Sequence, residues 1–475
     1  MKNIFIKFVL ISVIWLAGFF TGTAQESSTL YFMKGLQQSD LLNPALHNDS
    51  SKVVVGLPGL SGMYFDAHSG FAVNDLIHKG TGMLADSLVM DIERFHNALK
   101  DRNSIEQNFS IPLFYLRIRV KKSFFSLGIT EKEFAQFTFA KTLVTFIKDG
   151  NGPYLGQNFD LGNLELDAIH YREFAFGYSN ELIKNKLTVG LKVKALYGKS
   201  ALQTERMNLK VGTAADGSSV NIRSELKINL SMPVTLNYDS INYLSGVNTD
   251  HLKQADYINQ TGNFGMAFDL GAVYRLTPII TLSGSIIDMG KISFKKDLIS
   301  INKTINYQWE GIDVSRSMDK TKSDYVPLAT LFQKEADKMK DSFRANQSEI
   351  GSESFDVNIP TKIYLGGAYQ INNKINIGVL DRLYMYKSIS QNTVTLSGNA
   401  MLNNFFSLTG SYSVIGNSYN NLGLGMGIRM GFAQLYMVSD NLLAAAYPAR
   451  AEFVNFRFGM NFLFGRTHAS PSIVE

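Results

Sequence analysis

Hydrophobic and polar residues alternate with a period of two along most of this chain. In one such run, Phe264, Met266 and Phe268 lie on one face, opposite Gly265 and Ala267. A period of two is the signature of a β-strand whose two faces meet different surroundings. The same alternation covers residues 111–121, 171–179, 187–198, 222–238, 278–287, 361–371, 393–400, 405–413, 422–430 and 454–464.

The length of these runs separates two kinds of β-protein. They extend over 8 to 17 residues, whereas soluble strands average about 5–6 residues and membrane-crossing strands need about 9–11. One face is continuously bulky and apolar, and the other carries Gly, Ser, Thr, Asn and a few charges. Apolar residues facing lipid and small polar residues facing a lumen are typical of outer-membrane barrels. We therefore predict an all-β fold, a transmembrane antiparallel β-barrel of about 14 strands.

Three segments depart from this alternation and show helical spacing of their apolar residues. They are 82–100, 137–148 and 326–345. We predict loop helices there that pack over a mouth of the barrel. A lid or a helix that docks a partner is the functional alternative.

The N-terminus has the features of an export signal. Lys2 and Lys7 lie at the start of an almost wholly apolar stretch that runs to Phe20, and small residues follow it. This pattern predicts a cleaved signal peptide over residues 1–24, with a membrane anchor as the alternative. We then expect a plug segment over 25–60, the barrel over 61–465 and a C-terminal tail over 466–475. The predicted location is the outer membrane of a Gram-negative bacterium, in contact with lipid, lipopolysaccharide and the barrel-assembly machinery.

Composition excludes several classes of function. Charged residues make up only 18% of the chain, against about 25% in soluble domains. The chain has no cysteine, so it has no disulfides, catalytic thiols or Cys-ligated metals. A net charge of +5 is too small to indicate nucleic acid. P-loop, His-Glu-x-x-His and Gly-x-Ser-x-Gly motifs do not occur. We predict no enzyme activity, cofactor, metal or nucleic-acid partner. The soluble alternative, a large β-sandwich or propeller, lacks a repeat of blade length.

Charged residues on the polar face would point into the lumen of such a barrel. More of them are basic than acidic, and acidic members are Glu173, Glu225 and Asp269. Such an excess would attract anions or carboxylate head groups. The alternative is an internal ion-pair network completed by acidic loop residues. Our candidate ligand-binding residues are Arg117, Arg119, Lys192, Lys194, Asp269, Arg275, Arg429 and Arg457, and Lys121 and Lys227 share their predicted inward face.

Several short stretches resemble one uncharacterised family of Bacteroidetes-type outer-membrane barrels. The stretch 30–33 is followed by Asn43-Pro44-Ala45, and further similar stretches are 171–179, 186–190, 194–198, 269–272, 285–290 and 457–465. An Asn-Pro-Ala soon after the signal resembles FadL-like transporters, PorV-like barrels and PorP/SprF proteins of type IX secretion. The resemblance implies a 14-stranded type of barrel with an inserted N-terminal plug that contains Asn43, Pro44 and Ala45. It implies no activity.

Two functions follow as the main hypotheses. The first is a FadL-like passive transporter of small amphipathic or hydrophobic solutes, including anionic ones. The second is an accessory barrel of a type IX-like secretion or surface-assembly system, which would bind a protein partner through its loops. A structural barrel or an enzyme ranks behind both.

Overall fold

Residues 28–47, 51–250, 253–402, 405–416 and 418–466 are described by a computed structural model of the chain. The predicted signal peptide and residues 467–475 of the predicted tail lie outside these ranges.

Fourteen antiparallel strands form a closed barrel. Strand β1 consists of two pieces, Ser51–Gly56 and Met63–Ser69, and pairs with β2 on one side and with β14 on the other. Every further strand pairs with its neighbours in sequence, so the ring has no open edge. The predicted 14-stranded barrel is therefore confirmed. The remaining strands are β2 (Arg102–Val120), β3 (Ser123–Ala140), β4 (Glu165–Ile183), β5 (Leu187–Thr213), β6 (Asn263–Arg275), β7 (Ile280–Phe294), β8 (Thr361–Gln370), β9 (Ile375–Tyr386), β10 (Ile389–Leu402), β11 (Phe406–Ile415), β12 (Ser418–Met430), β13 (Ala433–Ser439) and β14 (Phe453–Arg466).

The two ends of the barrel differ. At one end, which we call the short-turn end, brief connections join β2 to β3, β4 to β5, β6 to β7, β8 to β9, β10 to β11 and β12 to β13. The opposite end, the long-loop end, carries the connections 70–101, 141–164, 214–262, 295–360 and 440–452. The chain enters the barrel and leaves it at the short-turn end, because Ser51 pairs with Arg466.

The outer wall of the barrel is apolar and the inner wall is polar. On β4, Phe174, Phe176 and Tyr178 point outward and are 40%, 49% and 41% exposed. On β10, Thr395 and Ser397 point inward and are buried. Large exposed apolar surfaces are unusual in soluble proteins, whereas a membrane barrel presents such a surface to lipid. The predicted apolar-out, polar-in arrangement is confirmed.

Additional elements extend the long-loop end. Strand β5 pairs with β6 along its first half and with Val220–Ser231 along its second half. Further strands are Ile77–Lys79, Leu88–Met90, Asn158–Asn163, Thr235–Tyr238, Leu244–Asn248, Leu298–Trp309, Ile350–Gly351 and Phe355–Asn358. The α-helices are α1 (Val73–Leu76), α2 (Ile92–Ala98), α3 (Lys141–Asp149), α4 (Gln254–Ile258), α5 (Leu328–Phe343) and α6 (Leu442–Ala446). Short 3₁₀ turns cover Ser28–Leu30, Gln38–Leu41, Gly82–Leu84, Gly152–Tyr154, Ser315–Ser317, Gln347–Glu349 and Pro448–Arg450. Within the described ranges, no helix is long and apolar enough to cross a membrane.

Two of the predicted loop helices have different bounds. Residues 82–100 do not form one helix, because a short hairpin occupies Ile77–Lys79 and Leu88–Met90 and α2 begins only at Ile92. Asp91 caps α2 by accepting a hydrogen bond from the backbone N of Arg94 at 2.8 Å. The predicted helix 137–148 begins later, at Lys141, because β3 continues through Ala140. Helix α5 lies within the predicted range 326–345.

The boundary predicted between plug and barrel, at residue 60, is wrong. Residues 51–56 already form a barrel strand that pairs with both β2 and β14. The run Val53-Val54-Val55 is too short to show a period of two by itself. Only its partners on both sides identify it as a strand.

Candidate functional site in the barrel lumen

Residues 28–47, which we call the lumenal segment, lie inside the barrel. They make hydrogen bonds to inward-facing groups of β2, β5, β7, β11, β13 and β14, which lie around the ring. Lys34 Nζ is 3.4 Å from the carbonyl oxygen of Asn373, in the turn between β8 and β9. The segment therefore crosses the lumen near the short-turn end. Its buried apolar side chains are Leu30, Tyr31, Met33, Leu36 and Leu42.

The Asn43-Pro44-Ala45 motif fixes one end of the lumenal segment to the wall. Asn43 Nδ2 donates a hydrogen bond to the carbonyl oxygen of Gly284 at 3.2 Å, and Asn43 Oδ1 accepts one from the backbone N of Ala45 at 2.9 Å. Pro44 lies directly against Gly190 of β5. Because a Cβ atom on Gly190 would overlap Pro44, the glycine creates the space in which the motif rests.

Charged groups hold the middle of the lumenal segment. Lys192 Nζ of β5 is 2.7 Å from the carbonyl oxygen of Asp40 and 3.3 Å from its carboxylate. Arg117 of β2 donates a hydrogen bond to the side chain of Gln37. Burial and the positive charge of Arg117 lower the pKa of His47 to about 3. His47 is therefore neutral at physiological pH and adds no repulsion against Arg117.

Asp440, just after β13, holds the start of the segment. Its two carboxylate oxygens accept hydrogen bonds from the backbone N atoms of Ser28 and Thr29, both at 2.8 Å. Asn455 of β14 donates a further bond to the same carboxylate at 2.9 Å. Hydrogen bonds to a charged acceptor are each worth about 1.5–3 kcal/mol. The lumenal segment is therefore fastened at both of its ends and at its middle.

A group of buried, oppositely charged residues lies on the neighbouring strands, and we call it the charged cluster. Lys194 Nζ is 2.7 Å from Asp269 and 2.5 Å from Asp288. Asp288 is also paired with Lys362 at 3.2 Å. The cluster is completed by Lys132, which is 2.7 Å from Glu173. Among our candidate ligand-binding residues, Lys194 and Asp269 are thus neutralised by each other and by their neighbours.

The remaining candidates do not all meet, although the charges of Arg119 and Arg275 act on His47 together with that of Arg117. Arg457 is buried, and its guanidinium lies 4.4 Å from the ring centre of Tyr64. Arg119 and Arg429 are half-buried near the short-turn end. Arg275 is exposed at the last position of β6, and its charge contributes to the lowered pKa of His47 in the lumenal segment.

Two further residues assigned to the inward face, Lys227 and Glu225, lie on the strand Val220–Ser231, outside the ring of 14 strands. Lys121 is exposed in the turn between β2 and β3. A period of two shows which residues share a face but not which part of the barrel that face lines, and Lys227 lines the cavity at the long-loop end.

Several lumenal charges could not be identified from the sequence. Asp40 belongs to the lumenal segment, and Asp66, Glu106, Asp288 and Arg382 are buried on the inner wall. Four of these five residues are acidic, and Lys132 and Lys362 of the charged cluster were not counted either, so the basic excess counted from the sequence is smaller in the structure. The lumen is an ion-pair network over much of its height rather than a uniformly cationic surface.

Cavities lie in the lumen and at the long-loop end, and three of them bear on function. A cavity of about 340 Å³ lies between the lumenal segment and β7–β9 near the short-turn end, beside Phe32 and Gln370. A cavity of about 60 Å³ lies above it, beside Glu106 and Arg382. A cavity of about 530 Å³ opens at the long-loop end, beside Glu205 and Lys387. The lumenal segment and packed side chains such as Phe134 and Tyr386 separate them.

A closed barrel of 14 strands with an apolar outer wall and a polar lumen defines an outer-membrane type of β-barrel. Residues 44–440 match the family of unknown function DUF5723, and the chain belongs to that family. A comparison with curated protein sequences finds no match.

Three solved structures illustrate the proteins to which the fold is similar. A Pseudomonas aeruginosa FadL homologue is 10% identical, with a TM-score of 0.41, over 94% of this chain and 100% of the other. The Pseudomonas putida toluene transporter TodX is 10% identical, with a TM-score of 0.35, over 93% and 94%. The translocator domain of the autotransporter NalP from Neisseria meningitidis is 7% identical, with a TM-score of 0.31, over 90% and 93%.

Proposed function

We propose that this protein is a passive channel for small amphipathic solutes in the outer membrane of a Gram-negative bacterium. The observation that carries the proposal is the set of cavities in the lumen and at the long-loop end, of which the one near the short-turn end borders the lumenal segment. A barrel that served only as a scaffold would have its interior filled by packed side chains. Here the lumen is interrupted by a segment that is held by hydrogen bonds and ion pairs and is not part of the wall.

Orientation follows from the connections. In bacterial outer-membrane barrels, short turns face the periplasm and long loops face the outside. The lumenal segment would then close the periplasmic end, and the cavity of about 530 Å³ would open to the exterior. A solute would enter from the long-loop end and leave when the lumenal segment moves.

Osmotic swelling of proteoliposomes tests this function. We expect liposomes that contain the purified barrel to swell faster than protein-free liposomes in sodium butyrate or L-valine, and to exclude sucrose. A channel function would be contradicted if the liposomes swelled in neither small solute. The same result would have to hold for a variant in which a mutation displaces the lumenal segment.

A second function, an accessory barrel of a type IX-like secretion or surface-assembly system, is favoured by one observation. The hairpin at the long-loop end exposes Met83, Leu88 and Met90, which are 104%, 74% and 62% exposed. On α5, Phe332 and Met339 are also exposed. Such apolar surfaces at the end opposite the lumenal segment would suit a protein partner.

This alternative predicts a loss of partner contact when the hairpin is made polar. A photo-crosslinking residue at position 86 in native membranes should give a defined protein adduct, and Met83→Ser with Leu88→Ser should reduce it about tenfold. Lys320→Ser, in another exposed loop, serves as the control and should leave the adduct unchanged. Equal adduct yields in all variants would exclude the hairpin as the docking surface.

A further inference from the structure

The middle cavity of the lumen is lined by three buried charged residues that form no salt bridge with any residue that the structure describes. Asp66 of β1 and Glu106 of β2 lie on one side, and Arg382 of β9 lines the same cavity of about 60 Å³. Each of the three residues is 2% exposed. Isolated buried charges are costly, and proteins ordinarily pair them.

The two carboxylates are satisfied only by neutral groups. Asp66 accepts hydrogen bonds from the hydroxyl of Tyr64 and from Asn108 Nδ2, the latter at 3.1 Å. Glu106 accepts bonds from Asn108 at 2.9 Å and from Gln136 at 3.0 Å. Across the described ranges, neither carboxylate forms a salt bridge. Among the described residues, the acidic side of the cavity therefore has no cation in salt-bridge contact.

Arg382 is the counterpart on the basic side. Within the part of the chain that the structure describes, its Nε has no hydrogen-bond partner and its guanidinium forms no salt bridge. By contrast, the other two cations of the cavity, Lys132 and Lys362, are both paired with Asp288. Arg382 is thus a buried, unpaired guanidinium that faces an open space.

We propose that this cavity binds the head group of a dipolar solute, one that carries a carboxylate and an ammonium group close together. The carboxylate would pair with Arg382, whose planar fork suits bidentate contacts, and the ammonium would lie against Asp66 and Glu106. A simple anion would leave the two carboxylates uncompensated, and a simple cation would leave Arg382 unpaired. The proposal rests on the proposed channel function and names the class of its solute.

The size of the cavity limits the head group. About 10–15 Å³ of such space accommodates one water molecule, so about 60 Å³ admits a group of a few non-hydrogen atoms, such as that of a small amino acid. Phe109, Phe134 and Tyr171 complete the lining. Their rings offer an apolar surface to the rest of the solute.

Isothermal titration calorimetry of the full-length barrel in detergent tests this assignment with L-alanine, sodium propionate and ethylammonium chloride as probes. We expect saturable binding of L-alanine that is at least about tenfold tighter than that of propionate or ethylammonium. Arg382→Gln should weaken L-alanine binding by about tenfold or more. Arg223→Gln, which removes an exposed arginine outside the ring, is the matched control and should bind like the wild type.

Folding of each variant is checked by the heat-dependent migration of the barrel in electrophoresis. If Arg382→Gln does not fold, Glu106→Gln provides the same test, because glutamine keeps an acceptor oxygen and loses the charge. Absence of L-alanine binding in the wild type, or unchanged binding in the folded variant, would overturn the inference. Tighter binding of propionate than of L-alanine would overturn it as well, in favour of an anion site.

The swelling assay separates this inference from the proposed function. Swelling in sodium butyrate without any L-alanine binding would overturn the dipolar site and leave the channel function standing. L-alanine binding that depends on Arg382, without swelling in any solute, would support the site and contradict the channel.

Discussion

Proteoliposomes that contain the Gly190→Val variant are expected to swell in L-valine about tenfold or more faster than those with the wild type. Gly190 faces the lumen against the Asn43-Pro44-Ala45 motif, and a Cβ atom there would lie 2.7 Å from the backbone N of Ala45 and closer still to Pro44. Overpacking of this kind costs about 1–3 kcal/mol, and each 1.4 kcal/mol is about a tenfold shift of an equilibrium. The lumenal segment would therefore dissociate more often from its position against Gly190.

Gly410→Val is the matched control for this experiment. Gly410 lies on β11, is exposed on the outer wall, and a Cβ atom there would have no neighbour within 4 Å. The control should swell at the wild-type rate. Equal rates for Gly190→Val and the wild type would show that the lumenal segment does not close the channel. Equal increases in both variants would point to a general weakening of the wall.

The largest effect on stability is expected for Lys194→Met. Lys194 is buried and lies 2.7 Å from Asp269 and 2.5 Å from Asp288. Its removal would leave three acidic residues of the charged cluster with only Lys132 and Lys362 as partners. Loss of one partner from a buried ion pair costs about 3–5 kcal/mol, because the charge left behind stays out of water. The free energy of unfolding, measured by urea titration of the barrel in detergent, should fall by about this amount.

Lys210→Met removes a lysine in a different setting and serves as the control. Lys210 is 3.8 Å from Asp160, and the two side chains are 56% and 60% exposed. Exposed pairs contribute about 0–1 kcal/mol, so this variant should unfold almost like the wild type. If both substitutions lowered the free energy of unfolding by similar amounts, burial of the charged cluster would not explain the effect of Lys194→Met.

The balance of charge in the lumen changes which solutes the barrel suits. Counted from the sequence, the inward face is basic and would favour anions. In the structure, Asp40 lies against Lys192, and Asp288 neutralises lysines on three strands. Ion pairs of this kind reduce the preference for anions that the sequence count indicated. Any selectivity has to come from local groups, of which Arg382 with Asp66 and Glu106 is the clearest example.

The barrel and its apolar outer wall followed from the amino-acid sequence alone. Strand formation and the choice of face depend on a period of two, which is a local property, and runs such as 264–276 and 454–464 display it without interruption. A sheet built from long strands that each have one bulky apolar face cannot expose both of its faces to water. The number of strands followed from counting such runs, because each run corresponds to one strand. Residues 51–56 are too few to be recognised as a strand by this pattern.

The residues that meet in the lumen could be identified only from the folded barrel. Asp288 has a left-handed backbone, with φ of 59°, and the pairing of β6 with β7 shifts register between Phe268 and Leu270. Both Ile287 and Asp288 are therefore buried, although strict alternation would place one of them outside. The position of the lumenal segment depends on closure of the ring, because the strands that contact the segment are hundreds of residues apart in sequence. A periodic pattern carries no information about such contacts, since it describes only the neighbours of a residue along its own strand.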